Sequence, residues 1–296
     1  MTRQTPADLL TIIRSFVPDQ TKPIATVRKD FSAFYDEFQE DAAESAHWDL
    51  VEIRPDLPAF RITTPESTGN RTVLFFHGGG FTVGSTGDHL GLCTRIARAS
   101  KSTVFSVDYR LAPEHVFPAA VEDAVAAYQY LLEMDVGSHR IIPVGISAGG
   151  NLVLSLLLAL RDRKMPVPVA AACMSPMVDL LFAGESVVRN RENDWISAAR
   201  LAHIRTAYLA GHDPADPLAS PIAARLSGLP RLYIQAGTNE LLIDSITSFV
   251  EKTRWAGVPV QFDIWEGMFH CWQVFAGQVP EGQEAIDRIG KFVQGA

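Results

Sequence analysis

The sequence predicts an α/β protein built on a mostly parallel, eight-stranded sheet with helices on both faces. From about residue 47 onward, segments of strand length alternate with segments of helical periodicity, the order expected of strand–helix–strand units. The later strand segments are almost entirely apolar, as strands must be when helices cover both faces of a sheet. A chain of 296 residues can form one such domain, and no repeat divides it. We therefore expect residues 1–296 to form a single domain.

Each element follows from a local pattern. The expected strands are 48–54, 59–63, 72–77, 103–108, 141–145, 169–174, 231–236 and 260–265. A Pro-Asp-Leu-Pro turn separates the first two, which are expected to form a hairpin. Apolar residues at helical spacing predict helices at 88–100, 118–134, 148–162, 241–255 and 282–294.

The first 45 residues differ from the rest of the chain. Apolar residues recur at helical spacing in two stretches, Leu9–Val17 and Phe31–Phe38, with a proline-containing linker between them. These patterns predict two amphipathic helices that pack on the body of the protein. Binding to a membrane surface is the alternative, but the polar faces of these helices lack the excess of lysine and arginine that it requires.

A long insertion interrupts the alternation between Ser175 and Arg231. It contains a helical pattern at 196–210, followed by a proline-rich segment. Loops of this length inside a compact domain are usually functional, and many serve as lids over a site. We therefore expect the insertion to cover a site at the end of the preceding strand.

Composition argues against several classes of function. The formal net charge of −8 disfavours nucleic acids and anionic membranes as partners, because both attract basic surfaces. The three cysteines form no CxxC pair, so neither a zinc site nor a disulfide framework is expected. No cofactor is expected either. The first residues lack a signal-peptide pattern, and the longest apolar run, Leu152–Leu160, is too short to span a bilayer. The sequence thus predicts a cytoplasmic protein without a stable membrane anchor.

The segment Gly145–Gly149, Gly-Ile-Ser-Ala-Gly, has the spacing of a nucleophile elbow. In such a turn a strand ends and a helix begins at once, so the Ser147 hydroxyl would stand clear of the sheet. Glycines two residues to either side avoid the collisions that side chains would make in so tight a turn. Because a serine hydroxyl is a weak nucleophile until a base activates it, the elbow predicts a base and an acid elsewhere in the chain.

Residues 72–84 form a strand that runs into three consecutive glycines. A phosphate-binding loop is one interpretation, but neither the GxGxxG spacing nor a following Gly-Lys-Ser/Thr is present. The better interpretation is an oxyanion hole, in which backbone N–H groups stabilise the negative oxygen that forms when a carbonyl is attacked. The candidate donors are the N–H groups of Gly79, Gly80 and Ala148. His77 is expected to shape this loop rather than to titrate.

His270 and Glu240 are the candidates for the base and the acid. With an elbow of this kind, the order along the chain is serine, acid, histidine. His270 follows the last predicted strand, where sites of parallel sheets form, although a lone loop histidine is otherwise often just solvated. Glu240 follows the strand before it and would orient the imidazole. Asp244, one helical turn on, is the alternative acid, and helix capping is the alternative role for either carboxylate.

These motifs resemble those of the hormone-sensitive-lipase-like group of α/β-hydrolases, to which many bacterial carboxylesterases belong. The matching segments are HGGGF at 77–81, DYRLAPEHVFPAA at 108–120, GISAGGN at 145–151, and those around Glu240 and His270. The resemblance covers about residues 45–295. It implies the α/β-hydrolase fold, with a helical cap formed by residues 1–45 and about 180–225.

The resemblance also implies a metal-free esterase that acts on small-molecule esters with short or medium acyl chains. It implies that Ser147 attacks, that His270 is general base and then acid, and that Glu240 orients the histidine. Homodimers, often through the last strand, occur in this family, so a homodimer is an expectation here. Two departures stand out: aspartate is the commoner acid, which leaves Asp244 open, and Ile146 occupies a position that is often aspartate or threonine.

Side chains of the cap and of neighbouring loops are expected to line an acyl pocket. The candidates are Phe31, Phe34, Met177, Trp195 and Phe269, although such residues are often plain core. Two functions compete with ester hydrolysis. One is binding of a small ligand without catalysis, as in the plant gibberellin receptor, which resembles this family. The other is cleavage of amides by the same three residues.

Overall fold

The central feature of the structure is one twisted sheet with helices packed on both of its faces. The computed structural model describes residues 5–17, 19, 21–38, 46–68 and 71–296. Within these ranges the sheet has eight strands, and most neighbouring strands are parallel. The fold class predicted from the sequence is confirmed.

The strands are β1 His47–Arg54, β2 Leu57–Thr63, β3 Thr72–Phe76, β4 Thr103–Val107, β5 Ile141–Ile146, β6 Ala170–Met174, β7 Arg231–Gly237 and β8 Val260–Trp265. Their spatial order is β1-β2-β4-β3-β5-β6-β7-β8. β2 pairs antiparallel with both β1 and β4, so the hairpin expected at the start of the sheet is confirmed. Every later pair is parallel.

The helices are α1 Pro6–Phe16, α2 Ile24–Asp36, α3 Leu90–Ser100, α4 Ala119–Glu133, α5 Ala148–Asp162, α6 Ser186–Arg189, α7 Ala198–Leu209, α8 Ile243–Trp255 and α9 Pro280–Gln294. α1 and α2 begin three and seven residues before the apolar patterns Leu9–Val17 and Phe31–Phe38. From α3 onward the bounds of the predicted helices agree with the sequence patterns to within about two residues, and α6 is an additional short helix in the insertion. None of the described helices combines the length and the apolar character that crossing a membrane requires.

Alternate residues of the central strands face opposite layers of the core. Val73 and Phe75 of β3 pack in one layer with α3 and α9, whereas Leu74 and Phe76 pack in the other layer with α4 and α5. This alternation follows from the two-residue period of a β-strand. Burial on both faces explains why these strands are apolar throughout.

The loops that follow β3, β5, β7 and β8 meet at the carboxyl edge of the sheet. β3 and β5 are neighbours, with Phe76 opposite Gly145, whereas the chain between them leaves to form β4 on the other side of β3. Such a reversal of strand order opens a crevice at the carboxyl edge, where ligands of open α/β sheets bind. The topology therefore brings Ser147, Glu240 and His270 to one edge.

The N-terminal helices pack against the insertion between β6 and β7. Arg14 of α1 donates hydrogen bonds to the carbonyl oxygens of Asp194, at 2.8 Å, and Arg191, at 3.3 Å. The ring of Phe34 in α2 lies with its centroid 6.0 Å from that of Trp195. Of the cap expected over residues 1–45, the following lie outside the described residues: 1–4, 18, 20 and 39–45.

The close approach of α3 and α9 generates a prediction about stability. A Cβ atom at Gly290 would lie 2.4 Å from the backbone carbonyl carbon and oxygen of Ala99. Alanine favours helices over glycine, so its intrinsic propensity alone would stabilise the protein. We expect instead that Gly290→Ala lowers the free energy of unfolding by about 1–3 kcal/mol, because the two helices must separate. Urea denaturation measures this change.

The matched control lies just beyond the end of the same helix. A Cβ atom at Gly295 would lie 3.4 Å from the carbonyl oxygen of Lys291, which is an ordinary contact. We expect Gly295→Ala to leave the urea midpoint within a few tenths molar of the wild-type value. Equal midpoints for the two variants would contradict the packing argument.

Candidate active site

Ser147 lies in a strained turn between β5 and α5. Its φ angle of 56° falls in the left-handed region, which residues with a side chain rarely adopt. A Cβ atom at Gly145 would lie 2.2 Å from the carbonyl oxygen of Gly149, and one at Gly149 would lie 1.9 Å from that of Phe76. The Ser147 N–H donates to the carbonyl oxygen of Met174 at 2.9 Å. The turn is therefore possible only with these glycines, and it fixes the serine against the neighbouring strands.

Ser147, His270 and Glu240 form one hydrogen-bonded row. His270 Nε2 is 2.8 Å from Ser147 Oγ, and His270 Nδ1 is 2.9 Å from Glu240 Oε2. The three residues are 7%, 3% and 0% exposed, respectively. Since the carboxylate can only accept at Nδ1, a neutral ring carries its proton there and leaves Nε2 to accept from the serine hydroxyl. This arrangement can activate the hydroxyl as a nucleophile.

The second oxygen of Glu240 is also held in place. Oε1 accepts from the Gly237 N–H at 2.7 Å and from the Ser175 hydroxyl at 2.8 Å. Ser175 Oγ accepts in turn from the Cys271 N–H at 3.2 Å. Sequence reasoning missed Ser175, although it directly follows β6 and therefore reaches the same edge of the sheet.

Asp244 does not contact the histidine. Its carboxylate accepts from the Ser186 N–H at 2.8 Å and from the Arg189 guanidinium at 2.6 Å, so it is bound to α6. Of the two acids left open by the sequence, the structure brings Glu240 to His270 and directs Asp244 to a different set of partners.

The protonation of His270 reflects opposing influences. Burial lowers its pKa, but the Cys271 sulfur and the Glu240 carboxylate raise it, and the balance places the pKa well above its ordinary value. The carboxylate acts in this direction because an adjacent negative charge that accepts a hydrogen bond stabilises the imidazolium. The site is therefore prepared to hold a protonated histidine.

The glycine loop after β3 presents backbone donors to the same place. Gly79 and Gly80 have φ angles of 118° and 63°, which glycine adopts readily and other residues do not. Among the described residues, none accepts a hydrogen bond from the N–H of Gly79, Gly80 or Ala148. The N–H of Ala148 is free because the first residues of a helix have no intrahelical acceptor. These three donors are available to a negatively charged oxygen.

Two buried histidines support this loop. His77 Nδ1 donates to the carbonyl oxygen of Gly78 at 2.7 Å, and the His77 ring stacks on Tyr109 with centroids 4.2 Å apart. The Gly78 N–H donates to His89 Nε2 at 3.3 Å. Burial lowers the pKa of His89 to about 3, so its ring stays neutral and remains an acceptor. His77 thus shapes the loop, as expected, and His89 is a second support that sequence reasoning missed.

A cavity of about 410 Å³, including its opening to solvent, lies over Ser147. Of the five predicted pocket residues, Phe31, Met177 and Trp195 line it. Ile146, one of the departures from the family pattern, also lines this cavity and contacts the glycine loop rather than making a polar contact there.

Phe34 and Phe269 do not reach the cavity. Phe34 packs behind its wall, 6.2 Å from Phe275 between ring centroids, and Phe269 packs on the same ring at 5.8 Å. Tyr35, which follows Phe31 by four helical positions, takes the place on the wall that was predicted for Phe34. Helical spacing placed Phe31, Phe34 and Tyr35 in one predicted helix but did not define which of them faces the cavity.

Helix α7 closes the cavity opposite the sheet. A Cβ atom at Gly80 would lie 2.4 Å from Ile204 Cδ1, so this helix rests directly on the glycine loop. Arg200, one turn before Ile204, also lines the cavity and is only 5% exposed. Sequence reasoning did not single out this arginine.

Asp194 joins the insertion to the loops that carry Glu240 and His270. Its Oδ1 accepts from the N–H groups of Trp195, at 2.8 Å, and His270, at 3.0 Å, and its Oδ2 accepts from the N–H of Leu241 at 2.8 Å. The Trp195 indole N–H donates to the carbonyl oxygen of His270 at 2.6 Å. Burial raises the pKa of Asp194 to about 6. One carboxylate thereby sets the positions of the insertion and of two loops at the sheet edge.

Comparison with known proteins identifies the family. A family described as alpha/beta hydrolase fold matches residues 73–274, which is most of the chain. An acetyl-hydrolase of Streptomyces hygroscopicus is 42% identical over 233 residues, or 78% of each chain. A solved esterase from the bacterial hormone-sensitive lipase (HSL) family is 37% identical, with a TM-score of 0.94 over 100% of this chain and 99% of its own. The chain belongs to this esterase family.

Further relatives of this HSL-family esterase carry names of the same kind. An esterase of Acinetobacter venetianus is 36% identical over 247 residues, or 82% of each chain. A carboxylic ester hydrolase of Mycobacterium tuberculosis is 32% identical over 272 residues, covering 82% of this chain and 70% of its own. The family predicted from the sequence motifs is confirmed, and so is its class of activity, the hydrolysis of carboxylic esters.

The buried carboxyl of Asp194 generates a prediction about stability and pH. Its pKa is about 6 in the folded protein and 3.8 in an ordinary environment. Between these values the folded esterase binds more protons than the unfolded chain, so the contribution of Asp194 to the free energy of unfolding falls as the pH rises. The asparagine of Asp194→Asn cannot ionise, so its contribution to the free energy of unfolding does not fall as the pH rises. We expect the free energy of unfolding of the variant, minus that of the wild type, to increase by about 2–3 kcal/mol from pH 4 to pH 7.

Urea denaturation of both proteins at four pH values measures this difference. The loss of one acceptor in the asparagine variant, which leaves the Leu241 N–H without its partner, lowers stability by the same amount at each pH and does not affect the slope. A stability difference that is constant from pH 4 to pH 7 would contradict the raised pKa of Asp194.

Proposed function

We propose that this esterase cleaves short- to medium-chain acyl esters through a Ser147–His270–Glu240 triad and an acyl-enzyme intermediate. The observation that carries the proposal is the buried row of hydrogen bonds, 2.8 Å from serine to histidine and 2.9 Å from histidine to glutamate. Three backbone N–H groups beside the serine, which have no acceptor among the described residues, support it. Nucleophile, base, orienting acid and oxyanion donors are the parts that acyl transfer requires.

Acylation is the first half of the proposed reaction. His270 Nε2 takes the proton of Ser147 as its oxygen attacks the ester carbonyl carbon. The carbonyl oxygen becomes negative and is stabilised by the N–H groups of Gly79, Gly80 and Ala148, each worth about 3–4 kcal/mol. Glu240 stabilises the imidazolium that forms. His270 then returns its proton to the alcohol oxygen as the bond between that oxygen and the carbonyl carbon breaks, which leaves the acyl group on the serine.

Deacylation repeats these steps with water as the nucleophile. His270 takes a proton from the water as its oxygen attacks the acyl carbon, and the same N–H groups stabilise the second oxyanion. The serine oxygen leaves with the proton from His270, and the carboxylic acid is released. No metal or cofactor enters these steps.

The cavity supports the proposed range of acyl chains. The cavity is narrow: the volume open to the centre of a water-sized sphere is about 20 Å³. Apolar side chains of Phe31, Met177 and Trp195 form part of its wall. A narrow, partly apolar cavity favours short and medium acyl chains over long lipid chains.

The proposed domain organisation is one hydrolase domain whose cap comprises residues 1–45 and about 180–225. Its support is that α2 and α7, one from each segment, contribute to the cavity wall. A homodimer through the last strand stays a prediction; β8 is an edge strand, and Ile264 on it is 52% exposed. A cytoplasmic location likewise stays a prediction.

A series of p-nitrophenyl esters from acetate to palmitate tests the proposal. We expect the initial rate to peak at short or medium chains and to fall by at least about 10³-fold in Ser147→Ala, which removes the nucleophile. A folded wild-type protein that cleaves none of these esters would favour the competing functions. Labelling of Ser147 by a fluorophosphonate, together with hydrolysis of anilide analogues, would then indicate an amidase, and failure to label would indicate a binding protein.

Glu240→Gln and Asp244→Asn test which acid serves His270. Neutral His270 is the base, and its pKa lies above the ordinary 6.5, so kcat/KM is lost as the pH falls through this raised pKa. Removal of the Glu240 charge destabilises the imidazolium. We expect Glu240→Gln to shift the acid limb of the pH profile of kcat/KM to lower pH. We also expect it to reduce kcat by about 10²–10⁴-fold.

Asp244→Asn is the matched control, because Asp244 binds Ser186 and Arg189 instead. We expect Asp244→Asn to leave the acid limb of the pH profile of kcat/KM at its wild-type position. A larger loss of kcat in Asp244→Asn than in Glu240→Gln would reverse the assignment of the acid. The pH dependence of kcat/KM from pH 5 to pH 10 measures both variants.

A further inference from the structure

Arg200 is a buried cation in the wall of the candidate active-site cavity. It lies on α7, is 5% exposed, and lines the same cavity as Ser147 and the glycine loop. Its Nη1 is buried and has no hydrogen-bond partner among the described residues. A guanidinium has five N–H donors and normally satisfies them when it is buried. The unpartnered donor therefore requires an explanation.

Among the described residues, no anion pairs with this charge. Burial lowers the pKa of Arg200 to about 10, so the side chain is still positive at neutral pH; the phenol of Tyr35 is the group that acts against this shift. A phenol is neutral under these conditions. An unpaired buried charge is costly, and folded proteins rarely retain one without a function.

The buried carboxylates around the cavity are engaged with other donors. Glu240 accepts from His270, Gly237 and Ser175, and Asp194 accepts from three backbone N–H groups. Asp88 accepts from the Ser85 hydroxyl at 2.9 Å. None of them forms an ion pair with the guanidinium within the part of the chain that the structure describes.

The surroundings of Arg200 favour an anion that arrives with the ligand. The neighbouring wall is apolar, with Phe31, Leu201 and Ile204 on it, and a charge interaction is stronger in such surroundings than in water. A guanidinium presents two parallel N–H groups that match the two oxygens of a carboxylate. The net charge of −8 provides no general attraction for anions, so any preference for them must be local.

We propose that Arg200 binds a carboxylate carried by the substrate, so that this enzyme prefers esters with a free acid group a few carbons from the ester bond. This inference rests on the proposed ester hydrolysis at Ser147. Arg200 is then a specificity-determining residue, and the substrates are either half-esters of short dicarboxylic acids or acyl esters of short hydroxy acids. The first class places the charge on the acyl part and the second on the alcohol part.

Matched substrates distinguish charge from size. One arm compares the monoethyl esters of succinic, glutaric and adipic acids with their terminal carboxamide analogues, which have the same shape and no charge. The other arm compares 3-acetoxypropanoate and 4-acetoxybutanoate with their carboxamides. Acid release in a pH-stat measures kcat/KM. We expect the charged member to be preferred by about 10–100-fold in one arm, the range expected for a charge-assisted hydrogen bond.

Variants connect this preference to the arginine. Arg200→Met keeps the length of the side chain without its charge, and we expect it to reduce the charged-to-neutral ratio to about one. Arg200→Lys keeps the charge without the paired donors and is expected to give an intermediate ratio. Arg205→Met removes a positive charge from the same helix outside the cavity wall and serves as the control, with the wild-type ratio expected.

A binding measurement separates this inference from the proposed catalysis. In Ser147→Ala, glutarate or adipate at millimolar concentration should raise the melting temperature, and the additional change Arg200→Met should abolish the increase. Without ligand, Arg200→Met should melt no lower than the wild type, because it removes an unpaired buried charge. If Arg200→Met does not fold, Arg200→Lys provides both readouts.

The outcomes are distinct. A preference for the charged esters that Arg200→Met abolishes supports the inference. A ratio near one in both arms, or a preference that survives Arg200→Met, overturns it. If the folded enzyme cleaves no ester at all, the proposed function fails, but an Arg200-dependent response to the dicarboxylates still supports an anion site. No response to them in that case overturns both.

Discussion

The rest of the site depends on the close contact of three backbone segments at the turn around Ser147. Gly149 lies against the end of β3, and Gly145 lies against Gly149, at distances that exclude a β-carbon at either position. This contact forces the strained backbone of the serine and starts α5 directly beside the glycine loop. Ser147 and the N–H groups of the proposed oxyanion hole therefore lie together because of one packing constraint, and Glu240 and His270 need only reach this point from the ends of β7 and β8.

Hydrogen bonds between residues far apart in the sequence fix the loops at the carboxyl edge of the sheet. Ser175 links the carboxylate of Glu240 to the loop of His270, and Asp194 links that loop and the loop of Glu240 to the insertion. Each of these side chains is buried and hydrogen-bonded to backbone groups. Each therefore fixes the position of a loop and has no direct part in the proposed reaction. The geometry of the proposed triad thus depends on residues that take no part in the proposed proton transfers.

The sequence predicts the elements and motifs well, because these follow from local rules. Periodicity defines the strands and helices, and the spacing around Ser147 identifies the elbow and predicts His270 and Glu240 at the same edge. Asp194 and Arg200 could not be found in this way, since their roles depend on partners 47 and 76 residues away in one case and on a cavity in the other. The sequence also predicts Phe34 as a pocket residue, whereas Tyr35 lines the cavity. Which of the two rings faces the cavity depends on the rotation of α2 against the rest of the protein, and the local pattern does not determine this rotation.

The corner formed by Asp194 and Trp195 has a consequence for how molecules pass in and out. Four hydrogen bonds join this corner to itself and to the loops of His270 and Glu240. Outward movement of the corner would break the bonds that fix the backbone of His270, so a form opened there is also a form with a displaced base. If the proposed triad is to stay intact during turnover, substrate and product must pass elsewhere along the rim of the cavity. The rate of product release and the integrity of the proposed proton-transfer geometry are then governed by different parts of the proposed cap.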